Sequence, residues 1–176
     1  MTTPLLSAMA CIALLALPAA AQGNRGLTVS THLVSYQEVP AVSSPASGHF
    51  RASIDEKAGT ISYELSYADL TGDVRQAHIH FGQHSVNGGI SVFLCQTAAN
   101  ADPTGLAPQC PQSGTVTGML QAANTIGPAG QGIAAGEFAE LIAAIRAGVA
   151  YVNVHSTTFP GGEIRGQLRG GFGRGA

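Results

Sequence analysis

The sequence predicts a mostly β protein, folded as one antiparallel β-sandwich with a single short helix. Two observations predict this fold class. The 23 glycines and 9 prolines divide the chain into short runs rich in Val, Ile, Thr and Tyr, a pattern typical of strands joined by turns. In segment 59–67, every second residue from Ile61 to Tyr67 is apolar. This alternation indicates a strand with one buried face.

Strands are predicted wherever such a run is bounded by glycine, proline or a short polar stretch. In chain order, the predicted strands are 27–34, 48–54, 59–67, 74–81, 90–94, 114–120, 150–155 and 163–168. The polar stretch 55–59, between the second and third strands, has the composition of a hairpin turn. Segment 122–136 is rich in Gly and Ala and is predicted to be a loop.

One segment departs from the β pattern. From Phe138 to Ile145 the large apolar residues recur at spacings of three and four, which places them on one face of a helix. Gly148 follows at a position where glycine commonly ends a helix. The sequence therefore predicts a short amphipathic helix over 137–146, ahead of the seventh strand.

Residues 1–21 have the pattern of a signal peptide. An apolar run ends in Pro18 and is followed by three small residues up to Ala21, where cleavage is predicted. The run is too short to span a bilayer, so we expect a periplasmic or secreted protein without a membrane span. A lipoprotein anchored through Cys11 is the alternative, although an anchoring cysteine would follow the apolar run rather than precede most of it.

The rest of the chain is predicted to form one domain over 27–168, followed by a flexible Gly-rich tail over 169–176. The full chain has a net charge of −2, and 10% of its residues are charged. A protein that binds phosphate backbones needs a basic surface, so nucleic acid is not an expected partner.

Cys95 and Cys110 remain once Cys11 leaves with the signal peptide. Cysteines in an oxidising compartment usually pair, so a disulfide between them is predicted. It would close a loop of about 15 residues. Two reduced thiols are the alternative.

Three predicted strands carry polar side chains on the face opposite their apolar residues. These side chains are His78 and His80 in the fourth strand, Tyr151, Asn153 and His155 in the seventh, and Glu163, Arg165 and Gln167 in the eighth. If the strands are neighbours in one sheet, the polar side chains meet.

Such a meeting would make a metal site possible. His78, His80 and His155 could each supply one imidazole nitrogen to a copper or zinc ion. Glu163 could be a fourth ligand or orient an imidazole, and His84 could reach the site from a loop. The alternative is a polar face in which the histidines only form hydrogen bonds with backbone and hydroxyl groups.

The sequence does not indicate a hydrolase or a nucleotide-binding enzyme. It lacks the Gly-x-Ser-x-Gly elbow of serine hydrolases, a suggestive pair of glycosidase carboxylates and a lysine-containing phosphate loop. The remaining enzyme hypothesis is a copper-dependent redox enzyme resembling copper–zinc superoxide dismutase. That site would need all 6 histidines of this chain, but His32 and His49 have no spacing typical of ligands.

Four motifs, in order, resemble the CHRD (chordin-type) domain. They are Gln37-Glu38-Val39-Pro40, Ala77-His78-Ile79-His80 with Asn87-Gly88, segment 148–155, and Gly162-Glu163-Ile164-Arg165-Gly166. The resemblance covers about 27–168 and implies an extracellular or periplasmic β-sandwich-like domain of poorly defined biochemical role. We expect the sandwich to be Ig-like or superoxide-dismutase-like. In chordin the domain belongs to a secreted antagonist of growth-factor signalling. This chain departs from the common pattern at His84 and in the insertion 95–110.

The glycines in and beside these motifs, Gly88, Gly89, Gly161 and Gly162, are predicted to take positive φ in turns. The sequence as a whole predicts an exported CHRD-domain protein that acts as a binding or structural module rather than as an enzyme. Its expected partner is an extracellular or periplasmic protein or a metal ion, copper or zinc.

Overall fold

The computed structural model describes residues 26–171. The predicted signal peptide with Cys11 and residues 172–176 of the predicted tail lie outside this range. Within it, no helix combines the length and the apolar character needed to cross a membrane.

The described residues form nine strands and one α-helix. The strands are β1 (Leu27–Val34), β2 (Ser47–Asp55), β3 (Thr60–Ala68), β4 (Val74–Phe81), β5 (Gly89–Cys95), β6 (Gly114–Leu120), β7 (Ala150–Ser156), β8 (Ile164–Gln167) and β9 (Arg169–Gly171). The helix, α1 (Phe138–Arg146), precedes β7. The first eight strands and the helix match the predicted segments to within one residue at each end. The segment predicted as a tail begins with β9, which pairs with β1.

The strands belong to one antiparallel sheet in the order β5-β4-β7-β8-β1-β2-β3-β6, with β9 beside β1. The two strands at the ends of this order, β5 and β6, contact each other, so the sheet curves into a nearly closed, barrel-like form. The Tyr63 hydroxyl on β3 donates a hydrogen bond to the Leu94 carbonyl on β5, 2.6 Å away. The mostly β class with one helix is confirmed. A division into the two sheets of an Ig-like or superoxide-dismutase-like sandwich is not.

Alternation along the strands builds the core. On β3 the apolar residues from Ile61 to Tyr67 are buried, as predicted. The apolar face of α1, from Phe138 to Ile145, joins the same cluster of buried residues. Gly148 follows the helix with φ of +71°, the left-handed conformation expected of a glycine at this position.

Cys95, at the end of β5, forms the predicted disulfide with Cys110. The loop between them is organised by the buried Asp102 side chain. Its carboxylate accepts hydrogen bonds from the Thr104 amide and hydroxyl and from the amides of Leu106 and Ala107. The loop is therefore held both covalently and by hydrogen bonds.

The strand order brings the three predicted polar rows together, because β4, β7 and β8 are consecutive in the sheet. His78, Asn153 and Arg165 are direct cross-strand neighbours, and His80, Tyr151 and Gln167 form the adjacent row. His155 lies opposite Gln76, beside an irregularity in the β4–β7 pairing.

Candidate metal-binding site

The polar face of β4, β7 and β8 is buried, although alternation predicted an outward-looking surface. The exposed fractions of His78, His80 and His155 are 0%, 7% and 5%. Loop residues 82–88 and the turn 159–162 supply hydrogen-bond partners to this face, and the turn 35–40 bonds to the loop 82–88. A loop that covers a sheet needs partners for its carbonyls, and the polar side chains provide them.

The three histidines converge. Ring nitrogens of His78, His80 and His155 lie within 4.8 Å of one another. Among residues 26–171, these histidines are the one group of three or more His, Cys, Asp or Glu side chains that lie close enough together to hold a metal ion. Nδ1 of His78 is 3.1 Å from Nε2 of His155. This separation fits a direct hydrogen bond between the rings, and it is also close to the distance of about 3.3 Å between two ligands of a tetrahedral zinc ion with bonds of about 2.0–2.1 Å.

Backbone carbonyls orient two of the imidazoles. Nδ1 of His80 is 2.9 Å from the Gly88 carbonyl, and Nδ1 of His155 is 3.0 Å from the Pro160 carbonyl. A carbonyl only accepts hydrogen bonds, so each Nδ1 carries the proton and each Nε2 presents a lone pair. Metal-binding histidines are typically held in this way.

Burial keeps these imidazoles neutral. It lowers the pKa of His80 and of His155 to about 4. Burial, together with the neighbouring imidazoles of His155 and His80, lowers the pKa of His78 further. The neutral form of imidazole is the one that binds a metal ion. At pH 7 an ion can therefore bind without displacing a proton from the imidazole.

Aromatic side chains pack around the histidines. The Phe93 ring meets His78 edge to face, with ring centroids 4.3 Å apart. The Tyr151 ring stacks on His80 at 4.7 Å, with an angle of 4° between the planes. The Arg165 guanidinium lies over the Tyr151 ring, 3.4 Å from its centroid. These contacts restrict the rotation of the imidazoles.

Arg165 also anchors the loop 82–88. Its guanidinium donates to the carbonyls of Gln83 and Val86 and to the side-chain oxygen of Asn87. The Asn87 amide in turn donates to the Val39 carbonyl, 2.8 Å away. The loop that carries the Gly88 carbonyl is thereby tied to β8 and to the turn 35–40.

Glu163 was a predicted fourth ligand, but the structure does not bring it to the histidines. Its carboxylate accepts hydrogen bonds from the Ser44 hydroxyl at 2.5 Å and the Thr71 amide at 2.8 Å. Burial raises the pKa of Glu163, but hydrogen bonds from Ser156, Ser44 and Thr71 outweigh it and lower the pKa overall. Since β8 begins at Ile164, strand alternation does not control where this side chain points.

The other three histidines also lie apart from the group. His84 is exposed and contacts the Ser85 hydroxyl at 2.8 Å. His32 and His49 are paired with each other across β1 and β2, with ring centroids 4.9 Å apart. The structure therefore does not gather the six-histidine set that a copper–zinc dismutase would need.

Glu38 belongs to the site; from the sequence alone, a side chain that ties a strand edge to the polar face and a solvated side chain were equal alternatives for it. It is 6% exposed. Burial raises its pKa to about 7, while Arg165, the Val39 amide and the Asn153 side chain oppose the rise. Its position in the motif Gln37-Glu38-Val39-Pro40 was the available signal. The short 3-10 turn at 35–37 directs the side chain inward, and nothing in strand periodicity predicts that turn.

Gly162 is the backbone feature that lets Glu38 and Asn153 approach each other. A Cβ at this position would overlap the Glu38 carboxylate and lie 2.8 Å from Nδ2 of Asn153. Its φ is +130°, as predicted, but the other three glycines predicted to have positive φ do not show it. Gly88 is required for a different reason, because a Cβ there would overlap the Phe81 carbonyl.

Comparison with protein families supports the resemblance seen in the motifs. The family model of the CHRD domain matches residues 29–168, which include Glu38, the three histidines and Arg165. Comparisons with curated proteins and with solved structures found no match. The chain therefore belongs to the CHRD domain family.

Proposed function

We propose that this protein is an exported binding module that holds one transition metal ion, copper or zinc, through His78, His80 and His155. The proposal rests on one observation. Three buried imidazoles, kept neutral by burial, bring ring nitrogens within 4.8 Å of one another. Neutral imidazole is a common ligand of both ions.

The lone pairs favour an ion over a purely hydrogen-bonded face. Nε2 of His78 and Nε2 of His80 are buried and have no hydrogen-bond partner among residues 26–171. A buried polar atom without a partner costs roughly 1–3 kcal/mol. An ion shared by Nδ1 of His78, Nε2 of His80 and Nε2 of His155 would satisfy Nε2 of His80.

Burial also favours binding over catalysis. A catalytic metal keeps one coordination position open to water or substrate, whereas a structural site is closed. The ligands here are at most 7% exposed, and they lie beneath the loop that Arg165 anchors. We therefore propose a closed site that stores, carries or is stabilised by the ion.

The test is calorimetric and thermal titration of the metal-free mature chain with Zn²⁺ and Cu²⁺. We expect one ion per chain. An ion at about 100 times its Kd adds about 2.7 kcal/mol, which corresponds to a rise in Tm of about 5–10 °C for a chain of this size. His78→Ala with His80→Ala should abolish both the binding and the shift.

Two control variants separate the buried site from surface chelation. His84→Ala, and His32→Ala combined with His49→Ala, should leave the stoichiometry and the shift unchanged. Should the double variant of His78 and His80 fail to fold, His155→Gln provides the same comparison with a smaller change in volume. Absence of stoichiometric binding, or binding that survives these substitutions, would overturn the proposal.

A further inference from the structure

Asn153 occupies the centre of the buried polar face. It lies on β7 between His78 on β4 and Arg165 on β8, as the direct cross-strand neighbour of both. It is 2% exposed. Its side-chain oxygen is 3.0 Å from Nε2 of His155.

This short contact is unfavourable for a neutral imidazole. Nδ1 of His155 lies 3.0 Å from the Pro160 carbonyl and Nε2 lies 3.0 Å from the Asn153 oxygen. A neutral ring has one N–H, so one of these contacts places two acceptors together. A second proton on the ring would remove the conflict, but burial disfavours the charged form. An electropositive ion shared by Nε2 and the amide oxygen removes it as well.

The amide of Asn153 is held with its oxygen towards the histidines. Its nitrogen Nδ2 and the Glu38 carboxylate both lie against Gly162. Turning the amide over would place its oxygen beside that carboxylate and its nitrogen beside His155. The contact with Glu38 therefore orients Asn153 as an outer hydrogen-bond partner orients a metal ligand.

We propose that the Asn153 side-chain oxygen is the fourth ligand of the ion, completing a four-coordinate site of three imidazole nitrogens and one amide oxygen. This inference rests on the proposed function. The type of ligand atoms also determines which ion the site prefers. Imidazole with a neutral oxygen donor suits a divalent ion such as Zn²⁺, whereas Cu⁺ is selected by soft sulfur ligands. The site is accordingly one for a divalent, tetrahedrally coordinated ion.

Cobalt substitution of the metal-free mature chain tests the coordination number directly. Co²⁺ reports its ligand geometry through visible absorption, and zinc affinity is measured by competition with a chromophoric chelator. We expect the wild-type chain to show the intense bands of tetrahedral Co²⁺. In Asn153→Ala the bands should shift and weaken, and zinc affinity should fall by about 10–100-fold.

Asn153→Asp keeps an oxygen at the same place and adds a negative charge. It should retain tetrahedral bands and bind zinc at least as tightly as the wild type. Asn124→Ala is the matched control, since Asn124 is also a buried asparagine but bonds to the Gln121 amide in a separate turn. It should leave the spectrum and the affinity unchanged.

The outcomes separate this inference from the proposed function. Failure of the wild-type chain to bind Co²⁺, Zn²⁺ or Cu²⁺ would overturn both. Binding of Cu²⁺ but of neither Co²⁺ nor Zn²⁺ would overturn this inference alone. Binding that depends on His78 and His80 but is indifferent to Asn153→Ala would overturn the fourth ligand and leave the three-histidine site standing. If the alanine variant does not fold by circular dichroism, loss of the tetrahedral bands in a folded Asn153→Asp chain overturns the inference.

Discussion

At the scale of single residues, the buried histidines couple stability to pH. The pKa of His80 and of His155 is about 4 in the folded chain, against about 6.5 for an unfolded histidine. Between these values the unfolded chain binds more protons than the folded chain. The free energy of unfolding therefore falls as the pH is lowered from 6.5 to 4.

We expect urea unfolding of the metal-free chain, measured with a chelator at pH 6.5, 5.5 and 4.5, to show this loss. Each such histidine contributes up to about 1.4 kcal/mol for each pH step of this size. His155→Gln should reduce the slope, because one of the groups that protonate on unfolding is removed. His84→Gln, at an exposed position, should keep the wild-type slope. A wild-type free energy of unfolding that does not fall in this window would contradict the prediction.

Glu38 has the opposite effect on how the free energy of unfolding depends on pH. Its pKa is about 7 in the folded chain against 4.5 for the ordinary side chain. Between pH 4.5 and 7 the folded chain therefore holds a proton that the unfolded chain has lost. The contribution of Glu38 to the free energy of unfolding falls as the pH rises through that window. Glu38→Gln removes the opposing contribution, so the decline of stability towards acid should be steeper in this variant than in the wild type.

At the scale of elements, Arg165 links β8 to the loop 82–88. It donates to two carbonyls of the loop and to the Asn87 side chain, and the loop carries the Gly88 carbonyl that orients His80. Glu163, two residues earlier, points elsewhere, because it precedes the first residue of the strand. On β8, side chains therefore belong to the polar face only from the first residue of the strand onwards.

Arg165→Met should release the loop while keeping the length of the side chain. We expect faster hydrogen exchange of the amides in 82–88 and a zinc affinity weaker by roughly 10-fold, since the hydrogen-bond partner of His80 is less well held. Arg51→Met is the control. Arg51 forms an exposed ion pair with Glu64, which contributes little to stability. Unchanged exchange in the loop of a folded Arg165→Met chain would refute this role.

At the scale of the whole molecule, the disulfide and the metal site are predicted to be independent. Cys95→Ala with Cys110→Ala removes a link across 15 residues of sequence separation. A loop of that length is worth about 3 kcal/mol, which urea unfolding would detect as a lower midpoint. Zinc affinity should stay within about 3-fold of the wild type, because Asp102 continues to organise the loop.

Reduction of the wild-type disulfide serves as the matched comparison. The reduced chain should lose a similar free energy of unfolding, and a reductant should have no effect on the double alanine variant. A double variant whose zinc binding is abolished while its fold survives would show that the two features are coupled.

By itself, the sequence determined the first eight strands, the helix, the disulfide pair and the split of β4 and β7 into an apolar and a polar face. Each of these depends on interactions between residues a few positions apart, or on the pairing of two cysteines. Periodicity therefore placed His78, His80 and His155 on matching faces without any knowledge of the sheet.

The tertiary structure decided that the sheet closes into one barrel-like form, that loops bury the polar face, and that Glu38 reaches it while Glu163 does not. These features depend on the pairing of β8 with β1 and on the approach of Glu38 to Gly162 and Asn153. Both bring together residues that are more than 100 positions apart in the chain. The free energy of such contacts depends on which surfaces and polar groups the other segments leave exposed or unpaired. Local sequence patterns do not contain that information.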